Sequence, residues 1–532
     1  MKRLWFLGAA LALAVAGLAS TASPALGSPA APGQPASQRA PRALLVCNGS
    51  TVACPGKVPH YATVQAAVNA ARPGDWVLIW PGVYHEKSKR WPTAGVWIQK
   101  PGIHLRGLSR NGVIIDGSNG SARRPCPSST KLQDTNGGVG RDGIVVWKSS
   151  GVTIQNLTVC DYLAGTGGHG NEIWWNGGDG SGKIGMGSYQ GSFLTATSMY
   201  APRNIHSPNL AQYGIFVSNA RGPGQITISY ASNMADASYY VGACRRQCNA
   251  TLAFDTGTNS ALGYSGTNAG GRLTIRDSVF AGNRTGLAPN SLNNDDAPPP
   301  QDGRCPGSAT RSCTVIEHNL ITGNNNANVP TSGLMPAVGA GVEISGGSFD
   351  TVRSNLISNQ GGWGVVTHDY PDTEKPPPGS HCQGGVQISK TLCLFPARGN
   401  KVYGNLFSGN GSFGNVSNGD LGTVGLLAAA TPRNCFFANR ATNGPVTSSP
   451  ARIQRPGVDG VPCSKPGTTA NAALLGQLIC ATGATGLGSC PSGSHYPKQT
   501  RIVMAPIPRL PSMPDPCLGV PRNGFCTSAA RF

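Results

Sequence analysis

The sequence predicts an all-β solenoid, and three observations lead there. The first is a period. Gly214-Ile-Phe-Val, Ala237-Ser-Tyr-Tyr-Val, Ala261-Leu-Gly-Tyr and Gly286-Leu-Ala-Pro open successive units 23 to 25 residues apart, and Gly341-Val-Glu-Ile to Gly364-Val-Val-Thr repeats at 23. That spacing is too short for a helix–strand unit but holds two or three strand-length runs, as one coil of a stack requires. The second is a signature inside each unit. Thr314-Val-Ile-Glu-His-Asn-Leu-Ile-Thr, Asp350-Thr-Val-Arg-Ser-Asn-Leu-Ile-Ser and Asn400-Lys-Val-Tyr-Gly-Asn-Leu-Phe-Ser align without gaps, placing Asn319, Asn355 and Asn405 at one corner, with Ser278 in a fourth copy. Asparagine there can adopt left-handed geometry, and stacked copies can bond from coil to coil. The third is the alternation of Val, Ile, Leu and Phe on both sides of that corner, which supplies an interior.

Taken in chain order, Met1-Lys-Arg followed by the apolar run 4–18 and small residues near 20–22 reads as a signal peptide over 1–22. Residues 23–45, rich in Ala, Pro, Ser and Gly, read as a disordered leader. Val64, Ala67, Val68 and Ala71 fall at i, i+3, i+4 and i+7, so a short amphipathic helix is expected, ended by Pro73-Gly74 and followed by a strand at Trp76. The coils are expected over 46–430. The polar, Gly-rich stretch 165–191 is a surface excursion in which Trp174 and Trp175 could stack on sugar rings or fill the interior, because neighbours on a strand face opposite sides. Residues 431–532 read as a Cys-, Pro- and Gly-rich C-terminal cover.

The chain carries sixteen cysteines, and most fall in local pairs: Cys47/Cys54, Cys244/Cys248, Cys305/Cys313, Cys382/Cys393, Cys480/Cys490 and Cys517/Cys526. Cys126 and Cys160 would close a loop, leaving Cys435 and Cys463. With a signal peptide this argues for disulfides in a secreted protein, and the absence of CxxC and HExxH argues against zinc. The formal charge of +19 favours acidic partners such as uronate polysaccharides. The basic residues are scattered without interleaved aromatics, which argues against nucleic acid as a partner. No later segment is apolar enough to span a bilayer, and a monomer is expected.

Three insertions fall between the first and second strands of their coils: Cys244-Arg245-Arg246-Gln-Cys248; Asn294-Asp295-Asp296 through Cys305 and Cys313; and His368-Asp369-Tyr370-Pro-Asp372 through His381, Cys382 and Cys393. Loops repeated on one edge of a solenoid can wall a cleft. Asp295, Asp296, His368 and Asp369 are the catalytic candidates: paired carboxylates suit glycosidic hydrolysis, and a base with a cation suits proton removal beside a uronate carboxylate. Arg245, Arg246, Asn290, Asp372, Trp174 and Trp175 are the substrate-binding candidates. Asn290, Ser345 and His368 share one position of their coils. The structural alternative is that such carboxylates cap turns beside proline, and Glu343 is expected to be a solvated strand carboxylate. No cofactor is called for, and calcium is left open.

The opening helix and strand, with the Asn-bearing coils, resemble the pectin-lyase-like superfamily over residues 60–430. That resemblance implies a right-handed parallel β-helix and an architecture shared by lyases, hydrolases, epimerases and non-catalytic proteins. Gly168-His169-Gly170 and Asn294-Asp295-Asp296 resemble polygalacturonase motifs in the opposite order, the arginine motif of pectate lyases is not evident, and His368-Asp369-Tyr370-Pro371-Asp372 is similar to the Asp/His-rich site of uronate epimerases without matching it. The segment 177–183 imitates a phosphate loop, but Ile184 replaces its Ser or Thr. The function expected is binding and cleavage or modification of an extracellular, acidic polysaccharide; the rival is a non-catalytic binding scaffold.

Overall fold

The computed structural model describes residues 39–56, 58–291, 293, 294, 296–299, 313–332, 336–376, 379, 381–426, 433–454, 471–483 and 489–526. From Pro41 onward the chain winds as a parallel β-helix. One wall is an eleven-stranded parallel sheet running from Ala94–Ile98 to Ser448–Ser449. The other two walls are joined into one 21-stranded sheet, because the long strands Val152–Cys160 and Tyr189–Thr197 bend across the corner and pair on both sides of it. The interior is a single apolar cluster running from Leu44 and Val46 through Ile154, Ile215, Tyr264 and Val342 to Phe436.

The coil-opening glycines have a steric reason. A Cβ on Gly263, Gly286, Gly341 or Gly364 would stand 2.4 to 2.6 Å from a carbonyl oxygen of the next coil, on Gly286, Gly341, Gly364 and Asp420 respectively. Small residues alone do not fix the register, however. Ala237 pairs with Tyr213 and Leu262, so the expected Gly214/Ala237/Ala261 alignment slips by a residue, while Gly341 and Gly364 stay in step. Corners that differ by one residue in length permit the slip.

The asparagine corner forms a ladder of side-chain oxygens accepting backbone amides. Asn439 Oδ1 accepts from Asn405 N (3.1 Å), Asn405 Oδ1 from Asn355 N (3.0 Å), Asn355 Oδ1 from Asn319 N (2.9 Å) and Asn319 Oδ1 from Ser278 N (3.0 Å). Ser278, Asp255 and Ser229 continue it into earlier coils. The left-handed residue is the one before the corner position, whether that position holds Asn, Ser, Asp or Leu194: Phe193, Ile228, Phe254, Asp277, His318, Ser354 and Ala438 all have φ between 52 and 59°. Asparagine itself keeps an ordinary φ because its side chain must point inward to reach the next coil. A second ladder runs through Asn410, Gln360, Asn324, Asn283 and Ser260, and a third through Asn434, Asn400, Asp350 and Thr314.

At the N-terminal side, Ala43–Val46, whose first three residues the sequence places in the leader, is a strand paired with Trp76–Ile79. Helix α1, Val64–Ala70, starts at Thr63, whose side chain accepts from Ala66 N, and buries Val64, Ala67 and Val68 in the interior cluster. Beyond residue 430 the walls continue through Cys435–Phe437, Arg440–Ala441 and Ser448–Ser449. Helix α2, Ala472–Thr482, then lies against the outer face of the eleven-stranded wall, with Leu474, Leu478 and Ala481 packed on Trp363, Val366 and Val424.

Residues 489–526 run back along the coils as a strap. His495 N donates to Asn415, Val503 N to Asn328 O, Ala505 N to Asn233, Leu510 N to Asn111 and Met513 N to Asn156. Arg106 donates to the carbonyls of Pro516 and Leu518, and Phe525 packs on Trp80. Among the described residues, disulfides join the predicted pairs Cys47–Cys54, Cys126–Cys160, Cys244–Cys248, Cys382–Cys393, Cys480–Cys490 and Cys517–Cys526. Cys313 and Cys435 are also disulfide-bonded; Cys305, Cys463 and the signal-peptide segment lie outside the described residues. No described helix is long and apolar enough to cross a membrane. Disulfides in this number suit an exported chain.

Two outcomes test the ladder. Asn355→Ala strips partners from the buried amide of Asn319 and the carbonyl of Ile316 and should cost about 3 kcal/mol in urea unfolding, at ~1–3 kcal/mol per orphaned buried group. Asp350 occupies a ladder position as a carboxyl, and burial raises its pKa to about 7. A carboxyl whose folded value exceeds its unfolded ~3.9 makes stability fall as pH rises between the two. Asp350→Asn is therefore expected to flatten the decline in Tm from pH 4 to 7 and to be the more stable protein at pH 8; parallel pH profiles for the two proteins would refute this.

Candidate functional site

The outer face of the eleven-stranded wall divides in two. Its later half, around Trp363, Val366 and Val424, is covered by α2, Phe413 and Tyr496. On its earlier half the register places Trp97, Val145, Trp174, Phe216 and Tyr240 in one row from coil to coil. Trp91, Trp97 and Trp147 stack with centroids 4.5 and 5.4 Å apart, Trp174 lies on Phe216 at 5.0 Å, and Phe216 on Tyr213 at 4.4 Å. All six keep part of their surface in solvent. Arg90 and Lys148 stand over Trp91 and Trp147 at 5.7 and 5.2 Å, so the stack is bracketed by cations.

Beside this row, at the opening of the same strands, lies an ionisable group. His169 Nδ1 donates to Asp142 Oδ2 at 2.8 Å, and Asp142 Oδ1 accepts from the backbone and side-chain nitrogens of Asn171 at 3.0 and 2.8 Å. Asp142 is buried, whereas the His169 side chain is 22 % exposed. Burial works against charging the ring, but the hydrogen bond and charge of Asp142 outweigh it and raise the histidine's pKa. With Nδ1 committed to the carboxylate, Nε2 is the atom left to exchange a proton. Behind the pair, Asp161 is pushed up to about 7 and Glu172 well above the usual carboxylate range, both by burial first. Burial thus favours the neutral form of both, which limits the negative charge around Asp142.

Of the sequence-predicted residues Trp174 lies in this row; the catalytic candidates fall elsewhere. The three insertion loops do touch along one flank: Arg245 N donates to Ala297 O (3.1 Å), Asn294 N to Asp372 Oδ2 (2.7 Å) and Cys382 N to Asn294 Oδ1 (3.0 Å). Asp295 lies outside the described residues. Asp296 reaches back to the coil of Tyr213–Ser218, where it accepts from Asn219 Nδ2 at 2.8 Å; burial raises its pKa against that bond. His368 ends the strand Trp363–His368, five strands further along the wall. At ~4.8 Å per strand that is about 24 Å, too far for one reaction centre.

His368 also differs from the expected base. Its Nδ1 donates to Asp369 O (3.0 Å) and its Nε2 to Glu343 Oε1 (3.1 Å), so both nitrogens carry protons. Burial alone would lower its pKa; Glu343 raises it. Glu343 is 5 % exposed and also accepts from Ala337 N, not the solvated carboxylate expected. Asp369 accepts from the amides of Ala397 and Leu426, and Asp372 from those of Asn294 and Glu374, so these carboxylates tie loops together. Asn290 contributes its carbonyl to Asn268 N, and Arg245 and Arg246 are exposed. Trp174 faces outward as one of the two readings required. Trp175 is wholly buried with its Nε1 on Val152 O, which removes it from the substrate-contacting set.

Sequence reasoning missed Asp142, Asn171, Trp97, Trp147, Tyr213 and Phe216, and set His169 aside as an imperfect motif. A signal was present: Asp142 and Asn171, like Val145 and Trp174, are 29 residues apart, which is one coil in that part of the chain. Among the described residues the geometric groupings of possible metal ligands, His381/Cys382/Cys393 and Asp116/Cys126/Cys160, each contain a disulfide, so their sulfurs are not thiolate ligands.

No family model matches the chain, and no curated protein matches it. Solved structures similar to it include the A-module of the mannuronan C-5 epimerase AlgE4 from Azotobacter vinelandii, at 15% identity and TM-score 0.43, covering 71% of this chain and 90% of that one. A mannuronic acid specific polysaccharide family 6 lyase from human gut microbiota matches at 15% identity and TM-score 0.40, covering 70% and 79%. A polygalacturonase from Erwinia carotovora ssp. carotovora matches at 11% identity and TM-score 0.35, covering 78% and 98%.

The coupling of His169 to Asp142 is measurable. In a histidine NMR titration, Asp142→Asn should lower the His169 pKa, whereas an unchanged value would show that the carboxylate does not set it.

Proposed function

We propose that the protein is secreted and acts on an extracellular polysaccharide lying across the open half of the eleven-stranded wall, with His169 as the acid–base residue. The observation that carries this reading is the His169–Asp142 pair, whose Nε2 is uncommitted, at the edge of a row of half-exposed aromatic rings. Ring faces and edges suit the apolar C–H surfaces of sugars. Arg90 at one end of the tryptophan stack, together with the net charge of +19, favours a glycan bearing carboxylates; Lys148 at the other end is paired with Asp179. In this reading Asp142 and Asn171 orient the imidazole, Nε2 takes or gives a proton at the sugar ring or the leaving oxygen, and Arg90 offsets the substrate's charge.

The base is a side chain of the protein, so the chemistry as drawn asks for no cofactor; assays with added calcium and with EDTA test whether calcium contributes. A second reading, binding without catalysis, is favoured by the way Trp91, Trp97 and Trp147 spend their faces on one another.

The test is a screen of the secreted protein against polygalacturonate, alginate, glycosaminoglycans and neutral glycans, with ultraviolet absorbance of new double bonds separating a lyase from a hydrolase. On a responding glycan, His169→Ala is expected to lower kcat by about 100-fold or more with KM changed little. Trp174→Ala should weaken binding about 5- to 10-fold, as ~1 kcal/mol of aromatic contact implies. Full activity in His169→Ala with loss in His368→Ala would move the site to the covered half of the wall, and binding without turnover, unaltered in His169→Ala, would support the scaffold.

A further inference from the structure

The His169–Asp142 pair sits where the strands of the open half of the wall begin. Where those strands end, at Trp147, Asn176, Ser218 and Gly242, the chain turns a corner into the 21-stranded sheet. That corner gathers cations which the sequence leaves scattered. Lys148, Lys183, Arg221, Arg245 and Arg246 come from four successive coils, and all are exposed. Backbone bonds set the turns side by side: Arg221 N donates to Met186 O (3.1 Å), Lys183 O accepts from the Asn219 side chain (3.3 Å), and Arg246 O accepts from Gly271 N (2.9 Å) in the coil beyond. At ~4.8 Å per coil the row spans about 15 Å.

The carboxylates nearby do not neutralise it. Asp179 pairs with Lys148, and Asp296 is turned to Asn219 and the amide of Gly182. Lys183, Arg221, Arg245 and Arg246 have no ion-pair partner among the described residues. The Cys244–Cys248 disulfide closes the turn that carries Arg245 and Arg246, and Arg245 is held there with a left-handed φ of 62°. A turn tied in this way loses little backbone freedom when it binds.

Between the corner and His169 lie the rings of Trp174 and Phe216. The strand Asp142–Trp147 has six residues, so at ~3.3 Å per residue the two edges stand about 20 Å apart. Guanidinium forks repeated along one edge suit a polymer with a carboxylate on each sugar, because each fork takes a carboxylate and one chain engages several at once. The rings that lead from the corner toward His169 suit the sugars between.

Resting on the glycan reading above, we propose that this corner is a cationic subsite that grips carboxylates of the same chain well beyond the reacting sugar, which makes the substrate a polyuronate long enough to cross the wall.

The full-length secreted protein is titrated with polygalacturonate and with alginate, with neutral dextran as the blank, and followed by calorimetry at low and raised salt. Arg221→Ser, Arg245→Ser and Arg246→Ser combined are expected to weaken binding of the uronate polymer about tenfold or more, with a shallower salt dependence because fewer counterions are released. The Tm should stay unchanged, since all three side chains are exposed. Lys401→Ser, Arg440→Ser and Arg501→Ser combined remove the same charge from exposed positions elsewhere and should change affinity by about twofold at most. His169→Ala should bind as the wild type does, so turnover reports on the acid–base assignment and affinity on the corner. The proposal is overturned if neither polymer binds saturably, if the corner variant binds as tightly as the control variant, or if a duplex oligonucleotide binds more tightly than both polymers, which would make the corner a nucleic-acid surface.

Discussion

A parallel coil stack exists only if the backbone amides at its corners find partners, because the chain turns there out of ladder geometry while remaining buried. In this protein the partner is a side-chain oxygen from the next coil, repeated by Asn439, Asn405, Asn355 and Asn319 and then by Ser278, Asp255 and Ser229. Each such residue satisfies its neighbour's amide while its own is satisfied by the coil beyond. The ladder therefore couples coils that are otherwise held by apolar contact and sheet bonds. It also tolerates left-handed backbone at the preceding residue, even at the β-branched Ile228.

That constraint positions everything on the outside. Once coils are in register, residues one coil apart become neighbours, and the face of the eleven-stranded wall becomes a grid. Its early rows hold aromatic rings and the His169–Asp142 pair; its late rows are buried under α2, where His368 and Glu343 form an ion pair beside apolar packing. The strap of residues 489–526 spans the coils from Asn415 to Trp80, spending corner asparagines such as Asn233 and Asn156 on its own backbone. A solenoid grown from weakly coupled units gains from a tie running across many of them.

The loops that the sequence singled out do meet along one flank, but their carboxylates are spent on hydrogen bonds to backbone amides and to Asn219. Asp369, Asp372 and Asn294 serve backbone amides, and Asp296 bonds Asn219. Proline and disulfide beside a carboxylate signalled rigidity, and a rigid loop needs its carboxylates as ties. The rings that face a possible substrate, Trp97, Trp174 and Phe216, lie on regular strands instead, and His169 sits in the turn before one of them.

By itself the sequence determined the repeat, the asparagine corner, the short opening helix and the local disulfides, because each depends on residues close together or on a period that survives small slips. Only the tertiary structure decided that Trp174 faces out while Trp175 fills the core, that Glu343 is buried against His368, and that Asp142 lies beside His169. Which side of a strand a residue takes, and which residue of the next coil it meets, turn on corner lengths that vary by a single residue. One such step moves a side chain from core to solvent, and the sequence period carries no record of it.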